Sequence, residues 1–264
     1  MTQAIARVLF ERCPLCESPR FAFLREASCV HHPLYDARLP ATIRWMRCEA
    51  CAHVFTDGWF DEAAERVLFQ RSLPNQTPSW SFDHGQRLLS ARMVGRVTAL
   101  RPMLSGRWLD VGFGNGSLLA VAEEHGFEVT GLDARSGPVD ALRAMGFRAH
   151  QRSLVDLEDA PFDVISMADV LEHIPFPRPT LDAARRLLAP GGLLFVSMPN
   201  MDSFDWRSRD HLNQNPYWGE LEHLHNFGRK RLYALLAEHR FAPRSYGVNE
   251  RYFTGMEVLA EKLP

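Results

Sequence analysis

The chain has 264 residues, 46% hydrophobic and 23% charged, the proportions of an ordinary folded protein, which exclude disorder, collagen-like repeats and a disulfide-scaffold miniprotein. Thirty Lys and Arg against 32 Asp and Glu leave a formal charge of −2, so no general field draws in an anionic membrane or nucleic acid, and neither is expected as a partner. No apolar run approaches the ~20 residues that span a bilayer, and Glu11 and Arg12 interrupt the start before any signal-peptide core, so a cytoplasmic protein is expected.

Cys13 and Cys16 form one C-x-x-C pair, Cys48 and Cys51 a second, and Cys29 is left over. Two such pairs aim four thiolates at one point, which is how a tetrahedral zinc ion is held. Disulfides would need an oxidising compartment, which the expected location does not supply. The segments CPLC and RCEACAHVF resemble the two knuckles of a zinc-ribbon module, except that Glu17 and Ala52 stand where such knuckles often carry glycine. Residues 1–56 therefore read as a small zinc-binding module. Its zinc, on Cys13, Cys16, Cys48 and Cys51, is structural, because four thiolates leave no position open to substrate. Cys29, His31, His32 and His53 read as a free thiol and loop imidazoles.

Residues 57–105 read as connecting or covering helices, with apolar periodicity over 57–71 and again over 86–100, separated by a polar, Pro-containing stretch. From residue 106 the pattern changes to short apolar strands alternating with helices, the signature of a parallel α/β sheet. Strands are expected at 108–111, 128–132, 148–150, 163–167 and 193–198. Helices are expected at 117–125, 138–145, 180–188, where Pro190-Gly191-Gly192 reads as the stop, and 230–239. Two last segments, 241–248 and 252–259, could pair antiparallel at the sheet edge.

In Trp108-Leu109-Asp110-Val111-Gly112-Phe113-Gly114-Asn115-Gly116-Ser117 a strand runs into a glycine turn that opens a helix. Glycines admit close backbone approach, and helix N-terminal N–H groups favour an anion. The Gly-x-Gly-x-Gly spacing is not that of a dinucleotide site, and Asp110 would repel a pyrophosphate but suits an ammonium group. Asp133, twenty-three residues after Asp110, ends the next strand, where a carboxylate can take both hydroxyls of a ribose.

Over about residues 85–264 the chain resembles the class I S-adenosylmethionine-dependent methyltransferases: LDVGFGNG matches the first motif, GLDA the second, FDVISMADVLEHI the fourth-strand region and LLAPGGLLFVSMPN the entry to strand five. The resemblance implies an α/β, Rossmann-like fold over 106–264, with a seven-stranded, mostly parallel sheet and an antiparallel edge hairpin. It also implies that Gly112, Gly114 and Gly116 cradle the methionine part of the donor, Asp110 its ammonium, and Asp133 with Ala134 the ribose. Ser153 and Leu154 would lie against adenine, and Met167 and Ala168 beside the sulfonium.

For the methyl acceptor, His223 and His225 are candidate bases, with His173 the weaker candidate. Asp169, Glu172 and His173 form a D-x-x-E-H that is similar to the E-x-x-E-H metal motif of small-RNA 2′-O-methyltransferases and to motifs of quinone-biosynthesis O-methyltransferases. A second divalent metal at Asp169, Glu172, His173 and His223 is thus a secondary expectation. Trp80, Phe82, Trp206, Tyr217 and Trp218 could line an acceptor pocket. Asn215-Pro216-Tyr217 only echoes a box of amino-methylating DNA enzymes. The expected function is methyl transfer to a small-molecule O- or N-acceptor, or a C-acceptor, in a natural-product, sugar or glycan pathway. The alternatives are an RNA methyltransferase using the zinc module, and a non-catalytic binding protein.

Overall fold

The computed structural model describes residues 7–69, 76–80, 84–102, 105–159, 161–251 and 254–264. In chain order these form β1 (Val8–Leu9), β2 (Phe21–Ser28), β3 (Thr42–Cys48), β4 (Val54–Thr56), β5 (Gly58–Trp59), α1 (Glu62–Phe69), α2 (His84–Leu100), β6 (Gly106–Val111), α3 (Ser117–Glu124) and β7 (Phe127–Asp133). There follow α4 (Ser136–Ala144), β8 (Arg148–Gln151), β9 (Phe162–Ala168), α5 (Pro177–Leu187), β10 (Leu188–Pro199), α6 (Phe204–His211), β11 (His225–Asn226), α7 (Arg229–Glu238), β12 (Phe241–Val248) and β13 (Gly255–Lys262). Among the described residues no helix is long and apolar enough to cross a membrane.

The chain divides into two compact units, neither of them one consecutive stretch. The first comprises Met1–Ser72, Glu172–Pro177 and Pro199–Leu232. Its four-stranded sheet has the order β11-β4-β3-β2, and every pairing is antiparallel. Alternation along β3 sends Ile43 and Trp45 inward, and the Trp45 indole N–H donates to the Trp218 carbonyl at 2.8 Å. The divisions read from the sequence, 1–56, 57–105 and 106–264, differ from this grouping because β11, far along the chain, hydrogen-bonds to β4 beside the cysteine knuckles, His225 opposite Phe55.

The second unit comprises Leu73–Leu171, Arg178–Met198 and Tyr233–Pro264. Its seven-stranded sheet has the order β12-β13-β10-β9-β6-β7-β8. The five strands from β10 to β8 are parallel, and β12 and β13 pair antiparallel as expected, with Tyr252 of the expected segment outside the described residues. After β6 the chain builds outward to β7 and β8, then returns to lay β9 on the other side of β6. That reversal makes the carboxyl ends of β6 and β9 a topological switch point, the place where open α/β sheets bind ligands.

Two local expectations are corrected. The helix expected from 57 begins only at Glu62: Gly58 pairs with Leu9 in the β1–β5 ribbon, and a Cβ there would lie 2.3 Å from the Val8 carbonyl oxygen. Asp61 then caps the helix by accepting from the Ala64 N–H at 2.9 Å. Pro190-Gly191-Gly192 does not separate α5 from its strand either. β10 starts at Leu188, and the three residues lie within a register shift between Leu188 and Leu193.

Candidate functional site

In the second unit the carboxyl ends of β6, β7 and β9 hold the expected donor residues. Gly112, Gly114 and Gly116 all have positive φ, at 65°, 54° and 78°. Gly112 also has no room for a side chain, since a Cβ would come 2.7 Å from Val170 Cγ2. Gly116 is the N-cap of α3 in the left-handed conformation, so the turn leads directly into the helix N-terminus, whose N–H groups favour an anion. Asn115 holds the turn: its side-chain oxygen accepts from the Ser117 N–H at 3.1 Å and its amide donates to Gln86.

Asp110 is buried, and β-register sets it opposite Ser166 of β9. The Ser166 hydroxyl donates to Asp110 Oδ1 at 2.6 Å. Burial pushes the Asp110 carboxyl up to about 7, against the opposing pull of the Ser166 hydrogen bond and the Arg251 guanidinium. Asp133 is buried at the end of β7, and Arg135 grips it: the backbone N–H and Nε donate to Oδ1 at 2.8 and 3.0 Å, the guanidinium NH2 to Oδ2 at 2.9 Å. Ala134 and Ser153 are exposed, whereas Leu154 and Met167 are buried and Ala168 is half-buried. The Ser153 hydroxyl accepts from the Val155 N–H at 3.1 Å, a local turn bond.

A polar network lies beside these residues, and of its members only Asp169 has an expected role, as a metal ligand. Asp169, in the left-handed region at φ 58°, accepts from Ser197 Oγ at 3.2 Å and pairs with Arg251 at 3.1 Å. Ser197 in turn accepts from Asn249 Nδ2 at 2.6 Å. Asp169 is therefore held by the sheet and the loop after β12. It is not in the metal-like group, which consists of Glu172, His173 and His223. Arg251 and Asn249 lie too far along the chain for spacing to associate them with β9.

The first unit holds the three histidines. Glu172, His173 and His223 each offer a ligand atom within 4.8 Å of the others, with the two imidazoles edge-on at 4.8 Å between centroids. His173 Nδ1 lies 3.0 Å from the Glu222 carbonyl oxygen. A carbonyl only accepts, so Nδ1 donates, and in the neutral ring it is Nε2 that carries the lone pair. His223 is buried, which holds it neutral well below the usual imidazole range, with the neighbouring His173 adding to the effect. His225 differs: Nε2 donates to the Ile174 carbonyl at 2.9 Å and Nδ1 accepts from His53 Nε2 at 3.0 Å. Both nitrogens are occupied, and burial lowers its pKa to about 4.

Trp206 and Trp218 are buried, and both indole N–H groups donate to Asp210, at 3.1 and 2.5 Å, so they are structural pillars. Tyr217 stacks between Trp206 and His223, at 5.3 and 6.4 Å from their centroids. Asn215 caps its own turn by accepting from the Tyr217 N–H at 3.1 Å, which removes the resemblance to a base-methylating box. Trp80 is exposed, and Phe82 lies outside the described residues.

The knuckle sulfurs of Cys13, Cys16, Cys48 and Cys51 lie within 4.8 Å of one another, with Cys13–Cys51 at 3.7 Å and Cys16–Cys48 at 3.5 Å. A tetrahedron of Zn–S bonds of ~2.3 Å has edges of ~3.8 Å, so the donor set fits a zinc ion. The knuckles are built alike: Glu17 N–H donates to the Cys13 carbonyl and Ala52 N–H to the Cys48 carbonyl, at 2.9 and 3.0 Å. Glu17 and Ala52 both take φ 58°, the conformation the missing glycines would have adopted freely. Cys29 donates instead to the Pro40 carbonyl, and His32 pairs with Glu220.

A family model described as "Methyltransferase domain" matches residues 82–245. A ubiquinone biosynthesis O-methyltransferase of Xylella fastidiosa is 34% identical over 137 residues, covering 47% of this chain and 56% of that protein; the chain thus spans little more than half of this curated relative. Among solved structures, a 1,6-didemethyltoxoflavin N1-methyltransferase of Burkholderia thailandensis, with its substrate and S-adenosylhomocysteine, superposes with TM-score 0.53 at 20% identity over 70% of this chain and 81% of that one. The magnesium protoporphyrin IX methyltransferase of Synechocystis PCC 6803 with bound S-adenosylmethionine gives 0.51 at 17% identity over 67% and 80%. Those likenesses show the fold, while the family match extends over well more than half of the sequence. The chain belongs to the class I S-adenosylmethionine-dependent methyltransferases.

Proposed function

We propose that the protein transfers a methyl group from S-adenosylmethionine to a hydroxyl of a small molecule. The observation that carries the donor half is the glycine turn between Asp110 and Asp133, whose backbone and two carboxylates match a zwitterionic tail and a ribose diol. When bound, the donor supplies an electrophilic methyl on a sulfonium. Asp110 takes its ammonium, the α3 N-terminus its carboxylate, Asp133 its ribose, and Leu154 and Met167 give it apolar wall. Asp133 must exchange Arg135 contacts for ribose hydroxyls, because Oδ1 already accepts twice.

For the acceptor half, the O–CH3 bond forms as the methyl–sulfur bond breaks, leaving S-adenosylhomocysteine, and the hydroxyl proton goes to a base, for which His173 Nε2 is the first unit's candidate. The Glu222 carbonyl fixes the tautomer this requires. The O-methyltransferase relative supports a hydroxyl acceptor. A second reading rests on the grouping of three donors: Glu172, His173 Nε2 and His223 could draw in around a divalent cation, which would lower the pKa of a bound hydroxyl. His173 fits such a ligand, because its other nitrogen is hydrogen-bonded to a carbonyl. We assign a structural zinc to the four cysteines. In both metal-like groups the chemistry of the donors, not an ion, supports the assignment.

The test is methyl transfer from labelled donor into a whole-cell extract separated afterwards into small-molecule and RNA fractions, with the small-molecule product identified by mass and fragmentation. A methyl ether product supports the proposal, and label confined to RNA or absent from every fraction overturns it. Loss of turnover in EDTA with recovery on Mg2+ or Mn2+ favours the cation over the free imidazole.

A further inference from the structure

Ser166 is a polar residue in the middle of an apolar strand, fully buried between Ile165 and Met167. Residues two apart on a strand share a face, so Trp108 and Asp110 of β6 point the same way, and Ser166 is the register partner of Asp110. The Trp108 indole N–H donates to Ser166 Oγ at 2.8 Å. Indole N–H only donates, so Ser166 must accept from it, and its single hydroxyl proton is left for another acceptor. Asp110 Oδ1 lies at 2.6 Å and the Leu109 carbonyl at 3.4 Å, so the proton goes to the carboxylate. The bonds run one way, from Trp108 to Ser166 to Asp110. They engage Oδ1 and counter the burial that disfavours the Asp110 anion, with Arg251 acting in the same sense and Asp133 against it.

We infer that Ser166 is a positioning residue for donor recognition: turned by the Trp108 indole, it holds Asp110 ionised and aimed, so that Oδ2 meets the donor's ammonium group. This rests on the assignment of Asp110 to the amino-acid tail. The test compares S-adenosylhomocysteine with 5′-methylthioadenosine, which keeps the nucleoside but lacks ammonium and carboxylate, by calorimetry on the full chain. Ser166→Ala should weaken S-adenosylhomocysteine about tenfold near pH 7 and leave methylthioadenosine within about twofold, since only one of them meets the carboxylate. The pH midpoint for S-adenosylhomocysteine binding should move upward in the same variant. Trp108→Phe, which frees the serine proton to turn toward Leu109, should lower the affinity ratio by a smaller factor, and Ser166→Thr, which restores the hydroxyl, should recover it. Equal loss for both ligands, or an unchanged ratio in Ser166→Ala, overturns the inference; if that variant does not fold, an unchanged ratio in Trp108→Phe does so. Wild-type protein that binds methylthioadenosine but gains nothing from the amino-acid tail would instead defeat the assignment of Asp110.

Discussion

The two units carry their candidate chemistry in different ways. In the sheet unit, Asp110, the three glycines and Asp133 lie within 24 consecutive positions, and strand–turn–helix geometry alone brings them to one end of the sheet. In the cysteine unit, the candidate residues come from three separated segments, joined by the short β11–β4 pairing and by the Leu224 N–H, which donates to the Glu172 carbonyl. A site built on consecutive elements is set by local rules. One built on a distant strand pairing depends on the packing of the unit around it, so perturbations should act differently in the two.

The largest expected effect is on the cysteine unit. Cys48→Ser, or removal of metal by a strong chelator, should unfold that unit with loss of several kcal/mol, because zinc binding is coupled to folding by ~10 kcal/mol or more in small modules. Tryptophan fluorescence with parallel zinc analysis reads this, and full stability in zinc-free protein would break the comparison. His173→Ala should lower kcat by ~100-fold or more, as expected for loss of a general base, with donor affinity within a few-fold. His225→Ala should instead lower stability by roughly 2–3 kcal/mol, because it orphans the Ile174 carbonyl and His53. Denaturant midpoints and single-turnover rates separate these two roles.

A third perturbation tests the sheet unit through pH. The Asp110 pKa is raised to about 7 in the fold, so the carboxylate that meets an ammonium is half present there, nearly complete a unit or more above it, and lost as pH falls below it. Donor affinity should drop by up to about tenfold per pH unit below 7. The same raised pKa makes the ligand-free fold lose stability as pH rises from about 4 through 7, which donor binding should offset. A pH-independent donor affinity between 5.5 and 8 would contradict this. The smallest effect is at the knuckles: Ala52→Gly should stabilise the cysteine unit by about 0.5–1 kcal/mol, by removing the cost of the left-handed conformation at φ 58°. Urea midpoints measure it.

What could be read in advance follows the same division. The strands around the glycine turn, the edge hairpin and the cysteine pairs were legible because each rests on spacing within a few residues or on periodicity along one element. Glu17 and Ala52 show that a knuckle keeps its geometry without its usual glycine, so the missing glycines obscured the backbone but not the ligands. The interruption at Gly58 was hidden because its cause, the Val8 carbonyl, lies 50 positions earlier. Asp169 looked like a partner of Glu172 by spacing, yet Arg251, 82 positions later, takes it. In sequence His223 and His225 ranked above His173 as candidate bases, a ranking that takes no account of what each ring nitrogen meets. Only the carbonyls of Glu222 and Ile174 separate an imidazole with an open Nε2 from one with both nitrogens occupied.

The most direct measurement is a calorimetric titration of S-adenosylhomocysteine into wild-type protein and into Asp133→Ala. One site per chain of micromolar affinity, lost in the variant, is the predicted result. Wild-type protein that is folded yet takes up no ligand, or a variant that binds as tightly as wild type, would contradict the donor site on which the proposed activity rests.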